Sequence, residues 1–130
     1  MADSRDSQLL KGVLPMLTLA ALTREETYGY ELVTVLRGAG LDDLSTGTLY
    51  PVLTRLERDG LLISRLVASA SGPARKYYRL SAPGLAALAA QRDAWVDLVA
   101  TAERVLGAAG PPTDPPDAAA PVPAPTGSPR

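Results

Sequence analysis

The stretch Leu44-Ser-Thr-Gly-Thr-Leu-Tyr-Pro-Val-Leu-Thr-Arg-Leu-Glu-Arg-Asp-Gly60 decides the fold. Leu49, Val52, Leu53 and Leu56 recur at i, i+3, i+4 and i+7, so they form one apolar stripe of a helix. The opposite side carries Gly47, Tyr50, Pro51, Thr54 and Arg58, with Arg55 beside them. These are hydrogen-bonding, stacking and cationic groups, the types that read base edges and grip phosphates. The helix can begin after Ser45 or after Thr48. Beginning after Ser45 places Pro51 in the interior and strips the hydrogen bond to the Gly47 carbonyl. Beginning after Thr48 places the proline in the first turn, where it costs little. The expectation is an irregular turn over Ser45–Gly47, regular helix beyond it, and a stop at Gly60.

Downstream, residues 61–67 (Leu-Leu-Ile-Ser-Arg-Leu-Val) are β-prone and Ala68-Ser-Ala-Ser-Gly-Pro-Ala74 is rich in turn formers. Arg75-Lys-Tyr-Tyr-Arg-Leu80 then alternates. Lys76, Tyr78 and Leu80 face one way, Arg75, Tyr77 and Arg79 the other. This is a hairpin with a small tip and a basic return strand; one of the two adjacent tyrosines is expected in the core. Upstream, residues 8–23 are apolar at helical spacing (Leu9, Leu10, Val13, Leu14, Leu17, Ala20/Ala21), with Pro15 expected to kink the helix or sit in its first turn. Thr27 is expected to cap a second helix running to about Arg37, with Tyr28, Leu32, Val35 and Leu36 on its apolar face. Tyr28 and Tyr30 are assigned to packing of that helix.

Ser81 is expected to cap a last helix with Pro83 in its first turn, running to about Leu106, roughly twice the usual helix length. Leu85, Leu88, Arg92, Trp95, Val99, Ala102 and Leu106 follow an alternating 3,4 spacing along it. Such a helix outreaches a domain of this size, so its apolar face calls for a second surface, most simply another copy of the chain. The order is helix, helix, helix, hairpin, long helix. The fold expected is mainly α with a small β wing, a winged helix-turn-helix over residues 1–80 followed by a dimerisation helix over 81–106. Residues 107–130 are mostly Pro, Ala, Gly, Thr and Asp and are expected to be a disordered tail, with a flexible linker as the equal alternative.

Charge and composition narrow the function. The net charge is −1, but residues 45–80 hold Arg55, Arg58, Arg65, Arg75, Lys76 and Arg79 against Glu57 and Asp59 alone. The basic excess therefore lies on the segment suspected of recognition. The chain has neither histidine nor cysteine, which excludes His-based triads, thiol chemistry and Cys/His zinc sites. Glu25-Glu26 and Asp42-Asp43 are adjacent pairs in polar turns and make no catalytic constellation. No enzyme activity and no cofactor are expected. No apolar run reaches the roughly 20 residues of a membrane span, and the N-terminus lacks a basic leader region; a cytoplasmic protein without membrane contact is the expectation.

Leu10-Lys-Gly-Val-Leu-Pro15, Tyr28-Gly-Tyr-Glu-Leu32, Gly47-Thr-Leu-Tyr-Pro-Val-Leu-Thr-Arg-Leu-Glu-Arg-Asp-Gly-Leu61 and Arg75-Lys-Tyr-Tyr-Arg-Leu-Ser-Ala-Pro-Gly84 together resemble the PadR family of bacterial transcriptional regulators, over about residues 9–106. The single long C-terminal helix is similar to the short subfamily. The resemblance implies a homodimeric repressor on a roughly palindromic double-stranded operator, with the last helix building the dimer together with the first. On that reading Thr46, Gly47, Thr48, Tyr50, Pro51, Thr54, Arg55 and Arg58 meet DNA from the third helix, and Arg75, Lys76 and Arg79 from the wing. The resemblance also implies release by a small aromatic effector, with Trp95 and Val99 as the ligand-facing residues. The competing expectations for these groups are plain: surface pairing of Arg55 and Arg58 with Asp59 or Glu57, above all Arg55 with Asp59, a charged edge strand that resists aggregation, and Trp95 as a dimer-core residue. A winged-helix module that binds protein instead of DNA is the alternative function.

Overall fold

The computed structural model describes residues 7–110. The chain divides into two compact units within its last helix, after Trp95. The first unit opens with α1 (Ser7–Ala21), followed by the two-residue strand β1 (Thr27–Tyr28), α2 (Gly29–Gly38) and α3 (Thr46–Arg58). The hairpin β2 (Leu62–Ser69) and β3 (Gly72–Leu80) follows, then α4 (Ala82–Ala109), whose start belongs to this unit. Leu14 and Leu19 of α1, Leu32 of α2, Leu49 and Leu53 of α3, and Leu44 just before α3 are fully enclosed. Leu62, Tyr78 and Leu88 extend this core to the sheet and to α4.

α3 follows its sequence pattern closely: Leu49, Leu53 and Leu56 are buried and Val52 is half-buried. Its start differs from the expectation. There is no irregular turn; the helix is regular from Thr46. Ser45 is extended (φ −114°, ψ 161°) and its Oγ accepts from the Thr48 amide at 3.2 Å. The cap satisfies one orphan donor of the first turn, enough to begin the helix five residues before Pro51. α1 likewise runs through Pro15 without a break, with the proline in its ninth position. The buried polar Thr18 returns its hydroxyl to the Leu14 carbonyl at 2.8 Å.

Three further expectations are corrected. Thr27 does not cap α2; it pairs with Tyr78, and Tyr28 pairs with Tyr77, adding a third antiparallel strand in the order β1-β3-β2. The apolar face of α2 shifts accordingly to Gly29, Leu32, Val33 and Leu36, a full i, i+3, i+4, i+7 set, while Val35 and Tyr30 are exposed. The hairpin tip is only Ala70-Ser71, since Ser69 already pairs with Gly72. Pro73 is absorbed at an irregularity between the Val67–Arg75 and Ser69–Gly72 pairs, where a missing N–H costs no ladder bond.

The junction of α3, the wing and α4 is tight. Gly60 has φ +80° and turns the chain out of α3. The Ser81 amide donates to the Leu61 carbonyl (3.1 Å) and its Oγ to the Gly60 carbonyl (2.6 Å), while that Oγ accepts from the Gly84 amide (3.0 Å). A Cβ on Gly84 would overlap the Leu61 carbonyl. One serine thus caps α4 and ties it to the end of α3.

In the second unit α4 continues to Ala109, three residues beyond the expected end. Gly107 lies inside the helix, and Gly110 (φ +87°) follows it. Val96, Leu98, Val105 and Leu106 are exposed there. The rest of the expected tail, 111–130, lies outside the described residues. Among the described residues no helix is long and apolar enough to cross a membrane, and no group of acidic side chains is placed to hold a metal ion.

Candidate nucleic-acid interface

Because Leu49, Leu53 and Leu56 are spent on the core, the rest of α3 is forced outward. Gly47, Thr48, Tyr50, Pro51, Thr54, Arg55 and Arg58 are all exposed, and Thr46 is half-buried. The structure therefore brings the expected α3 set onto one accessible face. The Tyr50 ring is 49% exposed and lies against Gly29 at the start of α2; a Cβ on Gly29 would strike it. Gly29 thus fixes the direction of Tyr50, a pairing with no local signal because 21 residues separate the two in sequence. Lys11 of α1, which the sequence reading left without a role, lines the same groove as Gly47, Tyr50, Thr54, Arg55 and Arg58. A single lysine on an apolar helix carries no pattern that points to a neighbouring helix.

The wing is fixed to α3 by Glu57. Its Oε2 accepts from Ser64 Oγ of β2 and its Oε1 pairs with Lys76 Nζ of β3 at 3.0 Å. The Ser64 and Lys76 hydrogen bonds hold the Glu57 carboxyl below the usual glutamate range, and the same contact raises Lys76. Lys76 also lies 5.6 Å from the centroid of the Tyr78 ring, the buried tyrosine of the pair, whose hydroxyl is pushed up by burial. A second clamp joins Glu26, ahead of β1, to Arg65 of β2 through two parallel hydrogen bonds of 2.7 Å. That bidentate bond holds Glu26 low and Arg65 high.

These two ion pairs are the ones found among the described residues. Neither the Arg55–Asp59 pair nor a bond from Arg55 to Glu57 forms. Among the described residues no carboxylate forms an ion pair with Arg55, Arg58, Arg75 or Arg79, although Arg79 lies close enough to Glu26 to help hold that carboxyl low. Arg75 instead sits over the Tyr28 ring, 4.6 Å from its centroid, and Tyr28 packs on Tyr77 at 5.2 Å. Glu26 and Glu57 are thus used to brace the wing. Trp95 is 44% exposed and Val99 is half-buried.

Three helices ending in a solvent-facing third helix, braced to a three-stranded wing, define a winged helix-turn-helix. The chain belongs to the transcriptional regulator PadR-like family, whose pattern it matches over residues 18–90. It is similar to a PadR-like regulator of Bacillus cereus, with 39% identity and a TM-score of 0.68 over 76% of this chain and 96% of that one. A PadR family regulator of Eggerthella lenta, also 39% identical, superposes with a TM-score of 0.71 over 76% of this chain and 86% of the other. A transcriptional regulator of Mycobacterium tuberculosis is 50% identical over 66 residues, which span 49% of this chain and 56% of that protein. The protein is thus a transcriptional regulator of this family and not an enzyme.

Proposed function

We propose that the protein is a homodimeric repressor that binds a palindromic double-stranded DNA operator. The observation that carries this is the division of α3. One stripe is locked in the core, and the other presents Tyr50, Thr54, Arg55 and Arg58, with no acidic partner among the described residues. Inserted in a major groove, Tyr50 and Thr54 reach base edges, while Lys11, Arg55 and Arg58 neutralise phosphates. Arg75 and Arg79 meet the flanking backbone from the wing. Lys76, tied to Glu57, serves the wing first and the DNA second.

α4 supplies the second half of the reading. Leu85, Trp95, Val96, Leu98, Val105 and Leu106 are exposed along it, a density of apolar side chains that a second copy covers. Two recognition helices then address successive major grooves about 34 Å apart. A flat aromatic effector stacking on Trp95 releases DNA if it binds better to a dimer whose helices no longer match that spacing. The test is binding of the full chain to its own promoter DNA across a salt series, against a scrambled duplex. Selective binding that weakens steeply with salt is expected, because each phosphate contact releases counterions. Equal affinity for both duplexes would overturn the reading in favour of a protein-binding module.

A further inference from the structure

Two residues that weaken a helix converge on one peptide group of α3. Gly47 has no Cβ, and glycine is the poorest helix former after proline. Pro51, four residues on, has no N–H to give to the Gly47 carbonyl. The fold uses neither feature. A Cβ on Gly47 would meet nothing closer than Ser45 Oγ at 3.8 Å, an ordinary contact, and its φ is not positive. Pro51 is exposed, and α3 runs through it as regular helix. Gly84 and Gly29 contrast with this, since at each of them a Cβ would overlap a neighbouring group. What Gly47 and Pro51 produce together is a carbonyl oxygen without its i+4 helical donor, at a residue that adds no side chain of its own. Gly47 itself is exposed, on the stripe it shares with Tyr50, Thr54 and Arg58.

A bare carbonyl accepts hydrogen bonds and cannot donate. At a DNA surface it is repelled by phosphate oxygens, by guanine O6 and N7, and by thymine O4. The donors it can meet in the major groove are the exocyclic amines, cytosine N4 and adenine N6. We propose that the Gly47 carbonyl, released by Pro51, is a specificity determinant that reads one such amino group in each half-site. The inference rests on the DNA-binding reading above and adds to it a backbone contact.

The experiment is selection from a randomised duplex pool with the full-length wild type and with Pro51→Ala and Gly47→Ala, followed by affinity measurements on the selected operator and a scrambled control. Wild type should enrich cytosine or adenine at one position per half-site, and the base enriched distinguishes the two amines. Pro51→Ala restores an N–H to the Gly47 carbonyl. It should flatten that one position, weaken the selected operator about fivefold, and leave the scrambled duplex and the other positions unchanged. Gly47→Ala should weaken the selected operator by obstructing the approach. Both substitutions install a better helix former, so the melting temperature of each variant should equal or exceed that of wild type. A Pro51→Ala protein that enriches the same base at every position overturns the inference while leaving the DNA-binding reading intact. A wild type that enriches nothing overturns both.

Discussion

Thr54 and Arg58 lie one turn apart on the same exposed face, yet their substitutions should separate. Arg58 offers a charge to phosphates, so Arg58→Ala should weaken specific and scrambled duplexes alike and reduce the salt slope by about one. Thr54 offers a short hydroxyl to a base edge, so Thr54→Ala should change preference among sequences more than overall affinity. Equal losses on both duplexes would refute that role. Both are checked by titration of paired duplexes at several salt concentrations. Gly84 belongs to a different class. Its hydrogen atom faces the Leu61 carbonyl at the point where Ser81 ties α4 to the end of α3. Gly84→Ala should cost about 1–3 kcal/mol, read as a melting temperature lower by several degrees.

The wing illustrates how a single side chain sets the pose of an element. Glu57 leaves α3 between Arg55 and Arg58 but turns to Ser64 and Lys76, one on each strand of the hairpin. Glu57→Ala should therefore lower the salt slope and protection at the flanking backbone proposed for Arg75 and Arg79, while preference at the bases proposed for α3 persists. A double-mutant cycle with Lys76→Ala should return a coupling of about 0.2–1 kcal/mol, the range of exposed pairs. Acid should act in the same direction. The Glu57 carboxyl is held low by its partners, so this brace is fully present above the ordinary glutamate range and is lost as pH falls through the depressed value. Loss of wing contacts with retained α3 contacts is the expected acid signature. A pH-independent footprint would contradict it.

At the scale of the molecule the question is what covers α4. Leu106 is exposed in the isolated chain, so Leu106→Asp should be nearly neutral for a monomer. In a dimer closed along α4 it should dissociate the subunits and lower operator affinity. Sedimentation of wild type and variant decides between them. Trp95→Ala should abolish fluorescence-detected binding of flat aromatics, and retained binding would place the effector elsewhere.

The α3 stripe, the wing strands, the long last helix and the basic stretch were legible because each rests on local periodicity or local charge. The exposed face of α3 was legible for the same reason, since naming the buried leucines also names what is left outside. The short strand Thr27–Tyr28 was not legible, because two residues carry no period and exist as a strand through Tyr77 and Tyr78, fifty residues away. Its formation moved the start of α2 and with it the buried face, exchanging Val35 for Val33. The regular start of α3 turned on one cap bond from Ser45, which tipped a choice that Pro51 had left open. Partner choice was the other hidden layer. Glu57 had plausible neighbours along its own helix, but packing set it against Ser64 and Lys76. Local order in the chain therefore settled which elements form and which faces are apolar. Contacts between distant residues settled which charges pair, Glu57 with Lys76 and Glu26 with Arg65.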